Sequence, residues 1–358
     1  MFTALRYAAG MTVTPPQPGF AVPVPVPAPA RVVVIVPAYG VAHLLGEALT
    51  SVLGQSFAAW ECIVIDDGAP DDVAGAVTPF LSDPRIRYLS TSNRGVSEAR
   101  NLAIAASTAP LVALLDGDDL FRPGYLATMV PLLESDPAIR LATCNARIFG
   151  AVPRERSCID ARQGSGDGTA GTLKDVLDRS FNVYIGTTFR RADFDQIGGF
   201  DPAMAQSEDF DLWVRLMQLG GVAWYVDEVL GDYRVRSGSA SAHAGRMLLG
   251  NLKAYEKCRA ALAADSPDLA LLDRLIASNQ QALAFEYAID RVIDGDTARG
   301  LAELGALKDQ VAGPVWLAAF ALWRLVPALA RPMLRWRRRA HSRGEKEGLL
   351  SGLTRGEP

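Results

Sequence analysis

The chain has 358 residues, of which 49% are hydrophobic and 21% are charged. These values are typical of a globular domain, and they exclude wholesale disorder, a collagen-like repeat and a small disulfide scaffold. The formal charge of −4 argues against a nucleic acid partner, because duplex-binding proteins usually carry a basic surplus. The four cysteines lie far apart, with no C-x-x-C pair, and there are only three histidines. This pattern argues against a zinc site and indicates a reducing compartment.

Residues 1–30 are rich in proline, with seven prolines between Pro15 and Pro29. Proline fixes φ and removes a backbone donor, so this segment favours extended polyproline II over a packed element. We predict a disordered tail. The alternative is a ligand for a proline-recognition domain.

From Arg31 onwards, short apolar runs alternate with stretches of helical periodicity. The runs that predict strands are residues 31–37, 61–66, 85–90 and 110–115. Helices are predicted near residues 44–53, at 97–106, after Pro123 and at 207–219. This alternation is typical of an α/β fold with a mainly parallel sheet flanked by helices.

The chain becomes helical and rich in alanine and leucine beyond about residue 244. We therefore expect an α/β domain at residues 31–243, a helical C-terminal extension at 244–340 and a flexible tail at 341–358.

Acidic residues cluster where two predicted strands end. Asp66 and Asp67 close the second strand, and Asp116, Asp118 and Asp119 follow the fourth. Ligands of open α/β sheets bind beyond the carboxyl ends of parallel strands, where these charges need a cation or hydrogen-bond donors. The alternative is that the Asp-Gly pairs only make turns.

The spacing of Asp116 and Asp118 suits one hard divalent cation, Mn²⁺ or Mg²⁺, with diphosphate oxygens completing its ligands. The chain has no G-x-x-x-x-G-K motif, and no G-x-G-x-x-G motif follows the first strand. Their absence argues against P-loop NTPases and dinucleotide dehydrogenases. We expect a metal, and not a glycine loop, to hold the phosphates.

A third acidic group lies at a predicted helix start, where Glu208, Asp209 and Asp211 follow Ser207. One explanation is helix capping and a favourable contact with the helix dipole. The other is that Asp209 or Glu208 is a general base. The spacing alone leaves both explanations open.

Seven motifs in order resemble family 2 glycosyltransferases of the GT-A fold, over about residues 31–240. They are V-V-V-I-V-P-A-Y (32–39), A-L-T-S-V-L-G-Q-S (48–56), E-C-I-V-I-D-D-G (61–68), N-R-G-V-S-E-A-R-N (93–101), L-L-D-G-D-D (114–119), I-G-G-F-D (197–201) and S-E-D-F-D-L-W (207–213). Two positions depart from the family pattern, Gly40 where asparagine often follows and Ala69 where serine is usual. Both departures leave the identity of the donor open.

The resemblance implies an inverting enzyme that moves a sugar from a nucleotide diphosphate donor, expected to be a UDP-sugar, to a hydroxyl of a glycan or lipid-linked acceptor. It also implies the site residues. For the donor, Pro37 and Tyr39 would line the nucleobase pocket, Asp67 would accept a hydrogen bond from the nucleobase, and Asn93 and Gly95 would border the nucleobase and ribose. Asp116 would contact the ribose or metal region, and Asp118 would ligate the metal. For the acceptor, Asp209 would be the general base, and Glu208 would lie beside it in the acceptor site.

The late segment Y-R-V-R-S-G-S-A-S (233–241) also resembles the family. Arg234 and Arg236 either face the diphosphate or are solvated at the surface. Two rival functions remain open: a nucleotidyltransferase that releases pyrophosphate, and a non-catalytic scaffold that binds nucleotide or glycan.

Residues 315–339 combine three tryptophans, Trp316, Trp323 and Trp336, with six arginines. This composition indicates peripheral contact with a membrane interface, and hence a lipid-linked acceptor. The alternative is a terminal helix packed on the protein with its arginines in water. No stretch reaches the roughly 18 apolar residues of a transmembrane helix. We expect a cytoplasmic protein, with any membrane contact at the inner face.

Overall fold

The computed structural model describes residues 29–158, 169–181, 183, 186–236, 244–308 and 314–342. Apart from residues 29–30 and 341–342, the predicted tails lie outside these residues. The chain divides into two compact units. The first comprises Met1–Arg147 and Ser157–Tyr233, and the second comprises Ile148–Arg156 and Arg234–Pro358.

Strands and helices alternate through the part of the chain that builds the sheet. In chain order they are β1 (Val32–Ala38), α1 (Ala42–Leu53), β2 (Trp60–Asp66), α2 (Val73–Val77), β3 (Ile86–Ser90), α3 (Val96–Ala105), β4 (Leu111–Leu114), β5 (Leu120–Phe121), α4 (Tyr125–Ser135), β6 (Ile139–Gly150), β7 (Arg156–Ser157), β8 (Thr169–Gly171), α5 (Leu173–Leu177), β9 (Thr188–Arg190), α6 (Arg191–Gln196), α7 (Glu208–Met217) and β10 (Val222–Val235).

The sheet has the strand order β3-β2-β1-β4-β9-β6-β10-β5, with β7 beside β6 and β8 beside β10. The four strands predicted from the sequence, β1 to β4, pair in parallel, with Val34 opposite Cys62 on one side and Ala113 on the other. β9 pairs antiparallel with both β4 and β6. The predicted α/β architecture is confirmed.

Strand β1 occupies the centre of the parallel part. Its β-branched run Val32–Val36 is completely buried, because α1 and α3 both pack against the strand. An uninterrupted apolar run is what a strand covered on both faces requires. The parallel pairing of β1, β2 and β4 brings their carboxyl ends to one edge, where the acidic residues follow.

Helix α7 carries the third acidic group at its first turn. Its apolar residues recur at helical spacing, and Phe210, Trp213, Val214 and Met217 are buried. After it, Gly220 and Gly221 adopt φ of 77° and 88°, a left-handed conformation that favours glycine and ends the helix.

All four cysteines are free thiols. Cys62, Cys144 and Cys258 are buried, and Cys158 is half-buried. Burial raises the pKa of the Cys62 thiol far above its usual range and that of Cys144 to about 12. Cys62 is therefore a small core residue, as its apolar surroundings in the sequence predict.

The second unit is helical beyond residue 244. Its helices are α8 (Ala244–Ala261), α9 (Leu269–Asp294), α10 (Thr297–Ala306), α11 (Pro314–Leu325) and α12 (Ala330–Ser342). Trp316 and Trp323 are only 1% exposed and pack with Phe285 of α9 and Leu334 of α12. This differs from the expected placement of both tryptophans in a membrane interface. No helix in the described ranges has the length and apolar character that crossing a bilayer requires.

Candidate active site

The turn after β4 lies directly against the end of β1. A Cβ atom added to Gly117 would come within 3.0 Å of the carbonyl oxygen of Pro37 and of Cγ2 of Val41. Only glycine allows this close approach. The Asp119 N–H donates to the carbonyl oxygen of Asp116 at 3.0 Å, which closes the turn that carries Asp116 and Asp118.

Asp67 fixes the loop that follows β3. Its Oδ1 accepts the backbone N–H of Arg94 at 2.8 Å, and its Oδ2 accepts that of Gly95 at 2.9 Å. The next residue, Gly68, has φ of 64°, and an added Cβ would lie 2.6 Å from the backbone nitrogen of Asn93. Asp67, Asn93 and Gly95 are therefore brought together. A carboxylate oxygen has two lone pairs, so Asp67 keeps acceptor capacity for a ligand.

Two further carboxylates near this edge, those of Asp66 and Asp71, accept hydrogen bonds that stabilise the local loops. Asp66 accepts the backbone N–H of Ala69 at 2.8 Å and the hydroxyl of Tyr88 at 2.7 Å. Burial of Tyr88, together with its hydrogen bond to Asp66, raises the pKa of the phenol to about 12. Asp71 accepts the backbone N–H groups of Gly40 and Ala42. For Asp66, the turn explanation of the acidic cluster is sufficient.

The buried guanidinium of Arg100, on α3, joins two of the acidic groups. Its Nη2 donates to Oδ1 of Asp116 and its Nη1 donates to Oε1 of Glu208, both at 2.8 Å. The group also lies 5.3 Å from the ring centroid of Phe200, within range of a cation–π contact. Burial opposes the charge of Arg100, but Asp116, Glu208 and Asp209 together raise its pKa above the usual value.

Asp209 is the residue that the sequence predicts as a general base. The residue lies at the first turn of α7 and is exposed to solvent. Partial dehydration by the surrounding protein, followed by the charge of Glu208, raises the pKa of Asp209 to about 6. The backbone N–H of Phe210, which donates to Oδ1 at 2.7 Å, and the charge of Arg100 oppose this rise. A pKa near 6 suits proton removal at neutral pH.

The start of α7 is held in place by the segment before it. Arg215 donates to the buried Asp211 one turn earlier and to the carbonyl oxygen of Gly199. Asn101 of α3 exchanges two hydrogen bonds of 2.9 Å with the backbone of Phe200. The motif I-G-G-F-D therefore connects α3 to α7 and sets the position of Glu208 and Asp209.

The residues of this edge fit a divalent cation that takes most of its ligands from a substrate. Within the described residues, no three acidic, histidine or cysteine side chains are placed to hold a metal by themselves. Asp116 and Asp118, alternate on a tight turn, supply the hard oxygen donors that Mn²⁺ and Mg²⁺ prefer. Mg²⁺ commonly binds to one or two carboxylates plus substrate phosphates and water.

The remaining predicted residues have different surroundings. Tyr39 follows β1 and is 52% exposed, which leaves its ring free to stack. Arg234 and Arg236 belong to the second unit, where Arg234 lies over the ring of Phe149. Their assignment to a diphosphate stays a prediction. Arg100 was not predicted as a site residue, although a lone arginine in the alanine-rich helix 97–106 is a signal for it.

A family model and the similar proteins of known sequence agree on one family for this chain. The sequence model named Glycosyl transferase family 2 matches residues 33–198. The chain is 31% identical over 255 residues to the succinoglycan biosynthesis protein ExoU of Rhizobium meliloti, covering 65% of this chain and 69% of that protein. The chain spans about a third of the length of the uncharacterised glycosyltransferases of Rickettsia felis and Rickettsia conorii that it also matches.

Two solved structures share the fold. A mannosyltransferase from Pyrobaculum calidifontis, in complex with GDP-Man and Mn²⁺, aligns with a TM-score of 0.58 at 21% identity, over 92% of this chain and 90% of that one. Residues 1–349 of S. aureus TarS, in complex with UDP-GlcNAc, align with a TM-score of 0.59 at 16% identity, over 92% and 98% of the two chains. These likenesses confirm the predicted fold class.

Proposed function

Because this chain belongs to glycosyl transferase family 2, we propose that it transfers a sugar from a nucleotide diphosphate, a UDP-sugar, to a hydroxyl of a glycan or lipid-linked acceptor, with inversion at the anomeric carbon. The single observation that carries the proposal is the double hydrogen bond of Arg100. It joins the acidic turn after β4, with Asp116, to the start of α7, with Glu208.

The proposed donor site is the edge formed by the ends of β1, β2 and β4. Pro37 and Tyr39 would flank the base, Asp67 would accept from it, and the Asn93–Gly95 loop would border the ribose. Support comes from the two backbone hydrogen bonds by which Asp67 already holds that loop. In support of UDP, the TarS fragment of the same fold is in complex with UDP-GlcNAc.

Asp116 and Asp118 would hold Mn²⁺ or Mg²⁺ together with the donor. When bound, the ion would neutralise negative charge on the departing diphosphate. Support comes from the oxygen donors of the turn and from the Mn²⁺ in the complex of the mannosyltransferase. Arg100 would keep the Asp116 carboxylate oriented beside that charge.

Asp209 would accept the proton of the acceptor hydroxyl. As the acceptor oxygen forms its bond to the anomeric carbon, the bond from that carbon to the phosphate oxygen breaks. The nucleoside diphosphate leaves with the electron pair, and attack from the opposite side inverts the centre. The raised pKa of Asp209, about 6, supports this assignment over simple helix capping. Glu208 would lie in the acceptor site beside it. The four free cysteines support a reducing compartment, the cytoplasm.

The test is product analysis with a panel of UDP-sugars and GDP-mannose, with Mn²⁺, Mg²⁺ or EDTA present. We expect release of nucleoside diphosphate that depends on the divalent ion, loss of turnover in Asp209→Asn with donor binding retained, and an inverted anomeric signal by NMR. Release of pyrophosphate from a nucleoside triphosphate would instead identify a nucleotidyltransferase. Nucleotide binding without turnover by the unchanged chain would identify a scaffold.

A further inference from the structure

Helix α11 has apolar residues both on its buried face and on its exposed face. One face, with Trp316, Ala319 and Trp323, packs into the core of the second unit. On the opposite face, Leu322 and Leu325 are exposed to solvent. Arg324 is the only charged residue between positions 314 and 326. A helix at the surface of a soluble domain normally carries several polar residues on its outer face, whereas α11 carries one exposed charged residue, Arg324.

The exposed apolar residues continue past the end of α11 into the turn before α12. Six of the eleven large hydrophobic residues that are exposed within the described part of the chain lie between positions 317 and 336. Leu325 is 82% exposed, the highest value among them. We name the outer-helix surface by the five residues that precede α12: Leu317, Leu322, Leu325, Val326 and Leu329.

Positive charge flanks the outer-helix surface. Residues 314–342 contain six arginines and no aspartate or glutamate. Arg337 and Arg338 are paired with Glu286 of α9. Arg331 and Arg335 donate to the carbonyl oxygen of Ile293, a contact that orders their side chains but does not neutralise them. The exposed Trp336 lies next to Arg335 on α12.

We propose that the outer-helix surface lies in the headgroup region of an anionic lipid bilayer, with Arg324 and Arg335 at the lipid phosphates. A helix of 12 residues is about 18 Å long, against about 30 Å for the hydrocarbon core, so α11 lies in the plane of the interface. Interfacial segments combine apolar residues with arginines, and tryptophan favours this depth. The contact residues are those of the outer-helix surface together with the exposed Trp336 of α12, because Trp316 and Trp323 are buried.

Charge distinguishes the bilayer from a second copy of the chain. A two-fold contact through the outer-helix surface would bring the arginines of one copy towards those of the other. Residues 314–342 offer no acidic side chain to pair with them. An anionic bilayer supplies the complementary charge. The inference does not depend on the proposed function, since it concerns the second unit alone.

The test is sedimentation of the full-length protein with phosphatidylcholine vesicles that contain either no phosphatidylglycerol or about one-third phosphatidylglycerol. We expect binding to the anionic vesicles about tenfold tighter than to the neutral ones, and weaker binding at high salt. The triple variant L322Q/L325Q/L329Q should lose about tenfold of this binding. Because all three leucines are exposed, its thermal midpoint and nucleotide-induced thermal shift should match those of the unchanged chain.

The matched control is L53Q/L81Q, which replaces two exposed leucines of the first unit and should bind vesicles like the unchanged protein. Equal losses in the two variants would mean that adsorption is non-specific, and the proposal would be wrong. It would also be wrong if the unchanged chain bound neither vesicle. A triple variant that is monomeric, where the unchanged chain is a dimer that ignores vesicles, would assign the surface to a second copy.

Discussion

Arg100 of helix α3 donates a hydrogen bond of 2.8 Å from Nη2 to Oδ1 of Asp116, in the turn that follows β4. The same guanidinium binds Glu208, which is 108 positions further along the chain. One buried cation thus positions two carboxylates, each with a proposed function in a different substrate site. A change at Arg100 should therefore affect both halves of the reaction.

We expect Arg100→Met to lower the rate of nucleoside diphosphate release by at least about tenfold and the free energy of unfolding by about 2 kcal/mol. The loss follows because Asp116 and Glu208 would keep their charges without a partner, and it is moderated because Asp116 is half exposed. Arg100→Lys should restore stability more than activity, since an ammonium group cannot bind both carboxylates in a planar fork. Urea denaturation and steady-state kinetics measure the two effects.

The control for Arg100 is Arg87→Met, which breaks a more exposed pair with Glu61. Surface pairs of this kind contribute about 1 kcal/mol or less, so the activity should be unchanged. Equal losses in the two variants would show that Arg100 is merely structural.

The acid limb of the pH–rate profile should reflect the ionisation of the Asp209 carboxyl group. Its pKa is raised to about 6, and only the deprotonated carboxylate can accept a proton. Below pH 6, log(kcat/KM) should therefore fall by about one unit per pH unit, and above it the profile should level off.

Glu208→Gln provides the check on that assignment. The charge of Glu208 raises the pKa of Asp209, and removing it should move the acid limb to lower pH even though the rate itself falls. Asp116 also raises this pKa, while Arg100 and the N–H of Phe210 lower it, so these groups must be unchanged in the comparison. A limb that stays in place in Glu208→Gln would contradict the assignment.

Asp118→Ala should abolish most of the manganese-dependent stabilisation by UDP. A ligand bound only to the folded state at a hundredfold excess over its Kd stabilises by about 2.7 kcal/mol, which thermal denaturation detects readily. The stabilisation seen with UDP and EDTA should be unchanged, because Asp67 and its loop are unaffected. Asp195→Ala, at an exposed position of α6, is the matched control and should retain the full effect. An equal manganese effect in both variants would exclude Asp118 as a ligand.

Alanine substitutions at Gly68 and Gly40 distinguish the stability cost of backbone strain from that of steric contact. Their φ values are 64° and 68°, so alanine costs about 1 kcal/mol at either site through the left-handed conformation. At Gly40 the added Cβ meets no atom within 4 Å, whereas at Gly68 it lies 2.6 Å from the nitrogen of Asn93. Gly68→Ala should therefore lose about 3 kcal/mol and also weaken nucleotide binding. Denaturation midpoints of the two alanine variants measure the difference in their stability. Equal midpoints would mean that the Asn93 loop moves away from the added Cβ at no cost, and would contradict this prediction.

The parallel strands could be predicted because their signal is local. The run Val32–Val36 is apolar and β-branched without interruption, and the carboxylates after β2 and β4 then follow from the rule for parallel strand ends. The antiparallel part was not predicted. β5 has two residues and β9 three, too few to show a period, and the longer strands β6 and β10 were missed as well.

The bridge through Arg100 depends on tertiary packing. The lone arginine of the helix 97–106 marks position 100 as unusual, but only the contacts between α3 and the I-G-G-F-D segment bring it to Glu208. The tryptophans of α11 illustrate the opposite case. The composition of residues 315–339 indicates that the tryptophans lie in a membrane interface. However, the helix has two apolar faces, and the sequence does not indicate that the face with Trp316 and Trp323 packs inward.

The buried thiols allow the unfolding of each of the two units to be followed separately. Cys62 and Cys144 lie in the first unit and Cys258 in the second, and all three are shielded from reagents in the folded chain. A pulse of a thiol-alkylating compound would modify each of these three buried thiols only when its surroundings open. Peptide mass spectrometry of the alkylated protein would then time the opening of each unit in a single unaltered chain.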